Sequence, residues 1–195
     1  LVALLSLGAL ASAQAERNVL RVAYVEDITT LDPAGMNATA EIIFALHVYD
    51  QLFVPSAGGV TPSLAADIEA NEDQTEWTLM LREGVEWHNG DPFTAQDVIY
   101  SLERYADPEL GAVARPLLAD METIEAVDDL TVNITFSQPQ IDLPLSLSSR
   151  FMSIMPHNIA PEDLAQTPVG TGAFVFESRE VGRRIVLTAN EDYWN

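Results

Sequence analysis

Apolar and polar positions alternate along three separate stretches, 19–25 (VLRVAYV), 76–82 (EWTLMLR) and 131–136 (TVNITF), and each predicts a β-strand. In the second, the alternation sets Trp77, Leu79 and Leu81 on one face. Between the first two, Ile42, Ile43, Leu46, Val48, Tyr49 and Phe53 recur at helical spacing and predict a helix over about 39–52. Pro55 and Gly58-Gly59 end it, and Leu31-Asp32-Pro33 with Gly35 forms the loop that precedes it. Asn89-Gly90 marks a tight turn. Thr94 follows as the N-cap of a helix from 95 to about 105, with Asp97 at the capping-box position. The stretches 173–179 and 184–189 read as a hairpin folded at Gly182. The chain is therefore a mixture of α and β elements without internal repeats.

The first residues stand outside this pattern. Residues 1–11 (LVALLSLGALA) are apolar and small, too short to span a bilayer, and run into Ala11-Ser12-Ala13 and Ala13-Gln14-Ala15, both small-x-small cleavage patterns. Residues 1–15 are expected to be the remnant of a secretory signal peptide whose start lies upstream. The competing reading, a buried N-terminal helix, fits poorly because the polar run 14–18 follows at once. The chain has no Cys, which excludes disulfides, thiolate metal sites and thiol catalysis. A lipid-tethered bacterial protein needs a Cys just after the cleavage site. The expectation is a freely soluble periplasmic protein of a Gram-negative cell, not a lipoprotein.

Charge narrows the partners. Thirty acidic residues face nine basic ones, all Arg, for a formal charge of -21. Such a surface repels nucleic acid and anionic lipid, and is read here as a solvated face rather than a trap for cations. Candidate chemistry is sparse. His47, His88 and His157 are scattered, without the spacing of a zinc site, and His88 reads as a turn residue. Gly170-Thr171-Gly172 lacks the remaining residues of a dinucleotide fingerprint or a P-loop. Its glycines suit a close pass of the backbone against another element. Neither Gly-x-Ser-x-Gly nor Ser-x-x-Lys occurs, so a secreted hydrolase is disfavoured. Arg150 has two readings: a cation for a ligand carboxylate, or an ion-pair partner on an acidic surface.

Ordered motifs carry a resemblance. Residues 82–104, REGVEWHNGDPFTAQDVIYSLER, resemble the most recognisable stretch of the bacterial extracellular solute-binding proteins of family 5, the oligopeptide, dipeptide and nickel class. Leu31-Asp32-Pro33, 48–52 (VYDQL), 62–67 (PSLAAD), 168–174 (PVGTGAF) and 190–194 (NEDYW) follow in the family's order. The resemblance implies an α/β, two-lobed periplasmic-binding-protein fold of the type II, peptide-binding class, with only part of the first lobe and its inserted subdomain present. It divides the chain into 16–48 as the first part of the lobe I main sheet, 49–167 as the inserted subdomain and 168–195 as the return to the main sheet. Lobe II and the family's late Asp, which anchors a peptide amino group, lie beyond these residues.

The same resemblance implies the substrate-binding component of an ABC importer, a non-enzyme without cofactor or metal. Its expected partners are a small solute, most readily a di- or oligopeptide, and the permease subunits. It neither binds nucleic acid nor inserts in the membrane, and it works as a monomer. Nickel complexes, sugars or opines are the alternative ligands, and a non-transport sensor is the alternative role. By resemblance the cleft edge comprises Thr30, Leu31, Asp32, Ser148, Ser149, Arg150, Phe151, Gly170, Thr171 and Gly172.

Overall fold

A computed structural model describes residues 19–195. The expected signal-peptide remnant, 1–15, lies outside the described residues. Helix α1 spans Thr39–Val48. A hairpin follows, β1 (Phe53–Ser56) against β2 (Gly59–Pro62). Strands β3 (Ala65–Ala70), β4 (Glu76–Leu81), β5 (Met121–Asp128) and β6 (Thr131–Phe136) form an antiparallel sheet in the order β3-β4-β6-β5. Helix α2 (Ala95–Ala106) interrupts their sequence, and short helices α3 (Leu143–Leu147) and α4 (Pro161–Leu164) come after it. A second hairpin, β7 (Phe174–Glu180) with β8 (Arg184–Ala189), follows.

Two hydrophobic clusters organise these elements. The larger joins the inner face of the sheet (Trp77, Leu79, Leu81, Val132, Ile134, Phe136) to Val98, Leu102 and Tyr105 of α2. The alternation in β4 predicts that face, since Trp77, Leu79 and Leu81 are all buried. The smaller cluster packs Ile42, Phe44, Ala45 and Val48 of α1 with Leu31 and Met36, covered by Phe176, Ile185 and Leu187 of the β7–β8 hairpin. Phe151 touches both clusters.

Two sequence expectations need correction. Residues 19–25 form no strand. A strand needs a neighbour to satisfy its backbone groups, and no described strand pairs with this segment, whose Leu20 and Val25 are 87% and 104% exposed. The helix over 39–52 stops at Val48, where Tyr49 turns extended (φ -118°, ψ 155°). The backbone beyond it finds tertiary partners instead: Gln51 pairs with Ser153, Ile154 N–H donates to the Asp50 carbonyl at 2.9 Å, and Phe53 opens β1. The remaining predicted elements appear within a residue or two of their expected bounds, the hairpin turning at Gly182 with φ 70°.

The α2 N-terminus is held more by Asp97 than by Thr94. The Thr94 N–H donates to Asp97 Oδ2 at 2.8 Å, whereas its hydroxyl reaches the same oxygen only at 3.4 Å. Asp97 is buried and also accepts from Trp87 Nε1 (3.2 Å) and from the His157 N–H (2.9 Å). Its Oδ1 lies 2.7 Å from His157 Nδ1. Asp97→Ala is therefore expected to cost about 2–3 kcal/mol in urea denaturation, because the buried Trp87 indole, the half-buried Thr94 N–H and the His157 N–H lose their acceptor together, while Thr94→Ala costs about 0.5–1 kcal/mol. Equal losses would contradict this division.

Candidate functional site

The motifs scattered through the sequence meet where the C-terminal end of α1 is crossed by residues 168–172. Gly170 and Gly172 permit the crossing. A Cβ on Gly170 would fall onto the Val48 carbonyl, and one on Gly172 would stand 2.7 Å from the His47 and Val48 carbonyl oxygens. Side-chain-free positions let the two backbones touch, and Gly172 N–H donates to the Val48 carbonyl at 2.9 Å.

His88, from the Asn89-Gly90 turn, clasps this crossing. Its backbone N–H donates to the Gly170 carbonyl at 2.8 Å. Its ring Nδ1 accepts from Gly170 N–H at 3.3 Å, leaving Nε2 to donate to the Gly172 carbonyl at 2.8 Å. That pairing requires the neutral Nε2–H tautomer, in line with a pKa lowered chiefly by burial. With Asn190 Nδ2 also donating to the Gly172 carbonyl at 3.1 Å, the backbone polar groups of Gly170 and Gly172 are engaged within the chain.

Asp50 ties the same crossing to residues 190–194. Its carboxylate accepts from the Thr171 hydroxyl (2.9 Å), the Tyr193 hydroxyl (3.1 Å) and Trp194 Nε1 (2.9 Å). Burial, then the Asp50 charge, pushes the Tyr193 pKa up to about 12, so the phenol keeps the proton it donates. The Arg82 guanidinium lies over the Trp194 ring at 4.8 Å and donates through Nε to the Ser63 carbonyl at 2.9 Å.

Asp32 and Arg104 join the Leu31-Asp32-Pro33 loop to the end of α2. Arg104 donates from both terminal nitrogens to the two Asp32 oxygens at 3.0 and 2.8 Å, a bidentate pair in a largely dry setting. Asp32 also accepts from Ala34 N–H at 3.2 Å. The Tyr49 hydroxyl is buried without a hydrogen-bond partner among the described residues; its desolvation and the Asp32 charge raise its pKa far above the usual phenol value.

Glu41 in α1 fixes the loop from the other side. It accepts from the N–H and hydroxyl of Thr29 (2.9 and 2.5 Å) and from the N–H groups of Asn37 and Ala38 (both 3.1 Å). Burial alone raises its pKa, yet these donors outweigh it and lower the value from 4.5 to about 2. A depressed carboxylate pKa contributes stability that is complete above about pH 4.5 and is lost as pH falls through about 2. Glu41→Gln is thus expected to lower stability at pH 7 and to flatten its dependence between those two values. An unchanged slope in acid denaturation of the variant would contradict this.

The ten residues expected at the cleft edge divide into two groups. Leu31, Asp32, Ser148, Gly170, Thr171 and Gly172 are buried with partners inside the chain. Leu31 lies wholly in the smaller hydrophobic cluster. Thr30, Ser149 and Phe151 are half-buried and Arg150 is exposed. The Arg150 guanidinium stands 5.0 Å over the Phe151 ring and, among the described residues, joins no ion pair. Beside it, Gln51 Nε2 donates to the Ser148 carbonyl at 3.4 Å and to the Ser149 carbonyl, stitching this segment to the end of α1. Sequence reasoning passed over Asp50, Arg104 and Glu41, although the first two sit inside the quoted motifs. Among the described residues no group of three or more His, Cys, Asp and Glu side chains could hold a metal ion. Among them, too, no helix is long and apolar enough to cross a membrane.

Comparison with known proteins gives a consistent answer. Haem-binding protein A of Haemophilus influenzae is 32% identical over 177 residues, covering 76% of this chain and 32% of that protein. Di/tripeptide-binding protein 2 of Pseudomonas aeruginosa is 29% identical over 219 residues, covering 98% of this chain and 41% of that protein. The solved periplasmic binding protein MoaA from A. tumefaciens R10, in complex with mannopinic acid, superposes with a TM-score of 0.79 at 36% identity, covering 87% of this chain and 36% of that one. The chain thus spans between 32% and 41% of these relatives and has, over that span, the mixed α/β fold of a type II periplasmic binding protein. Residues 59–195 match the family described as bacterial extracellular solute-binding proteins, family 5 Middle. The chain belongs to the bacterial extracellular solute-binding proteins of family 5.

Proposed function

We propose that the protein is the periplasmic substrate-binding component of an ABC importer, capturing a small carboxylate-bearing solute, a di- or oligopeptide foremost, for delivery to the permease. The observation that carries the ligand class is Arg150. It is exposed, free of any ion pair among the described residues, and braced on Phe151 where the two hydrophobic clusters meet. A planar guanidinium held this way suits bidentate capture of a carboxylate. Two of the relatives are a di/tripeptide-binding protein and a protein in complex with mannopinic acid, and both kinds of ligand carry that group. Thr30, Ser149 and Phe151 complete the proposed ligand edge. The buried members of the expected set instead hold the edge in shape.

The two clusters also support the division of the chain into main sheet (16–48 and 168–195) and inserted subdomain (49–167), since α1 packs with the β7–β8 hairpin and the four-stranded sheet packs with α2. Capture proceeds by closure of two lobes on the solute, without chemistry. The test begins with mass spectrometry of the solute retained by the full-length protein purified from its native periplasm. Arg150→Ala should then weaken that solute's binding by about 10- to 100-fold in calorimetry, at unchanged melting temperature, because a charge-assisted pair is lost from an exposed position. A solute without carboxylate, or an affinity unmoved by the substitution, would overturn the ligand class.

A further inference from the structure

We propose that the groove between the last turn of α2 and strand β5 docks a basic, extended segment of a partner protein, which adds to the four-stranded sheet beside β5. This surface is separate from the ligand edge at Arg150 and does not depend on it.

Strand β5 closes the sheet order β3-β4-β6-β5, so one of its edges has no strand partner among the described residues. Beside it lies an open groove of about 470 Å³ lined by the apolar Met121, Ile124 and Ala106 and by the carboxylates Glu103, Asp107 and Glu122. None of these three carboxylates joins an ion pair among the described residues. The register of β5 on β6 is irregular at both ends, between Met121 and Thr123 and between Ala126 and Asp128, which confines regular pairing to Thr123–Ala126 in its middle.

An exposed strand edge is a template for another strand, and proteins guard such edges with charge and bulges. Here the guarding charge is of one sign. A second copy of this chain, at -21, is repelled by it, and so is any acidic strand. An extended segment alternating Lys or Arg with small apolar residues fits this edge. Its backbone pairs along the edge, its apolar side chains meet Met121 and Ile124 on the face that α2 covers, and its cations, on the opposite face, meet Glu122, within the negative field to which Glu103 and Asp107 add.

The probe is a nine-residue peptide alternating Lys and Val, titrated into the full-length protein at low salt. A Glu-Val peptide and a Lys-Val peptide N-methylated at alternate residues serve as controls. The Lys-Val peptide should bind, and both controls should fail, since one carries the wrong charge and the other cannot pair its backbone. Glu103→Gln/Glu122→Gln should weaken binding by at least about fivefold. Glu69→Gln/Glu72→Gln, an equal charge loss on exposed residues at the β3 side of the sheet, should change it less than about twofold. Absence of binding, equal weakening by the two double variants, or undiminished binding of the N-methylated peptide would each overturn the proposal. The last two outcomes mean diffuse attraction to an acidic protein, or capture at another surface.

Discussion

Gly170→Ala is expected to destabilise the protein by at least about 4 kcal/mol, lowering its melting temperature by about 10 °C or more. The added Cβ would overlap the Val48 carbonyl oxygen, lie 2.6 Å from the Val48 carbonyl carbon and 3.2 Å from Tyr49 Cα. All three are backbone atoms, one carrying the last helical carbonyl of α1, so no side chain can swing aside. Relief requires the crossing segment to lift from α1. That breaks the Gly172 N–H bond to Val48 and the clasp of His88, and with them the seat of Thr171 on Asp50. Gly58→Ala is the matched control. Its Cβ meets nothing within 4 Å, and it should melt within about a degree of the parent. A melting temperature for Gly170→Ala close to that of the control would show that the crossing is looser than described.

Arg104→Met is expected to cost about 3–5 kcal/mol, because it leaves the Asp32 carboxylate, 8% exposed, without its bidentate partner. Burial works against the charge on Arg104, but the hydrogen bonds and charge of Asp32 outweigh it and hold the guanidinium protonated. The desolvation of the pair is offset only while both partners are present. Asp32→Ala should cost a similar amount, and it also removes the acceptor for Ala34 N–H at the turn before α1. In the double variant Asp32→Ala/Arg104→Met neither partner of this pair is left as an unpaired buried charge, so its loss should be clearly smaller than the sum of the two. Additive losses in urea denaturation would mean that the two groups do not interact across the fold.

Much of the architecture was legible in local pattern. The alternation in 76–82 and 131–136 set the inner face of the sheet, and Thr94 with Asp97 set the start of α2. The close-pass reading of Gly170 and Gly172 rested only on their lack of side chains and met backbone at both positions. What failed was decided by distant partners. The helix expected to reach Leu52 ends at Val48 because Asp50 and Gln51 are taken up by residues 148–154, about a hundred positions away. The apolar run 19–25 has strand character without a strand beside it. Strand β5 escaped notice because an edge strand with Glu122, Glu125 and Asp128 has little hydrophobic alternation. In the candidate site, motif membership pointed to the neighbourhood but not to roles. Asp32, expected at the ligand edge, pairs with Arg104, a partner no local pattern announced, and Asp50, the acceptor for three side chains, stood unremarked within VYDQL.

Solute capture between two lobes is the central claim, and calorimetric titration of the complete protein beside residues 16–195 alone tests it most directly, using the solute identified from the native protein. A solute enclosed between lobes takes most of its burial and several polar contacts from the opposite lobe, and each 1.4 kcal/mol lost is about tenfold in affinity. The account predicts micromolar or tighter binding by the complete protein and millimolar or weaker binding by residues 16–195. Equal dissociation constants would contradict it, as would failure of the complete protein to bind any solute.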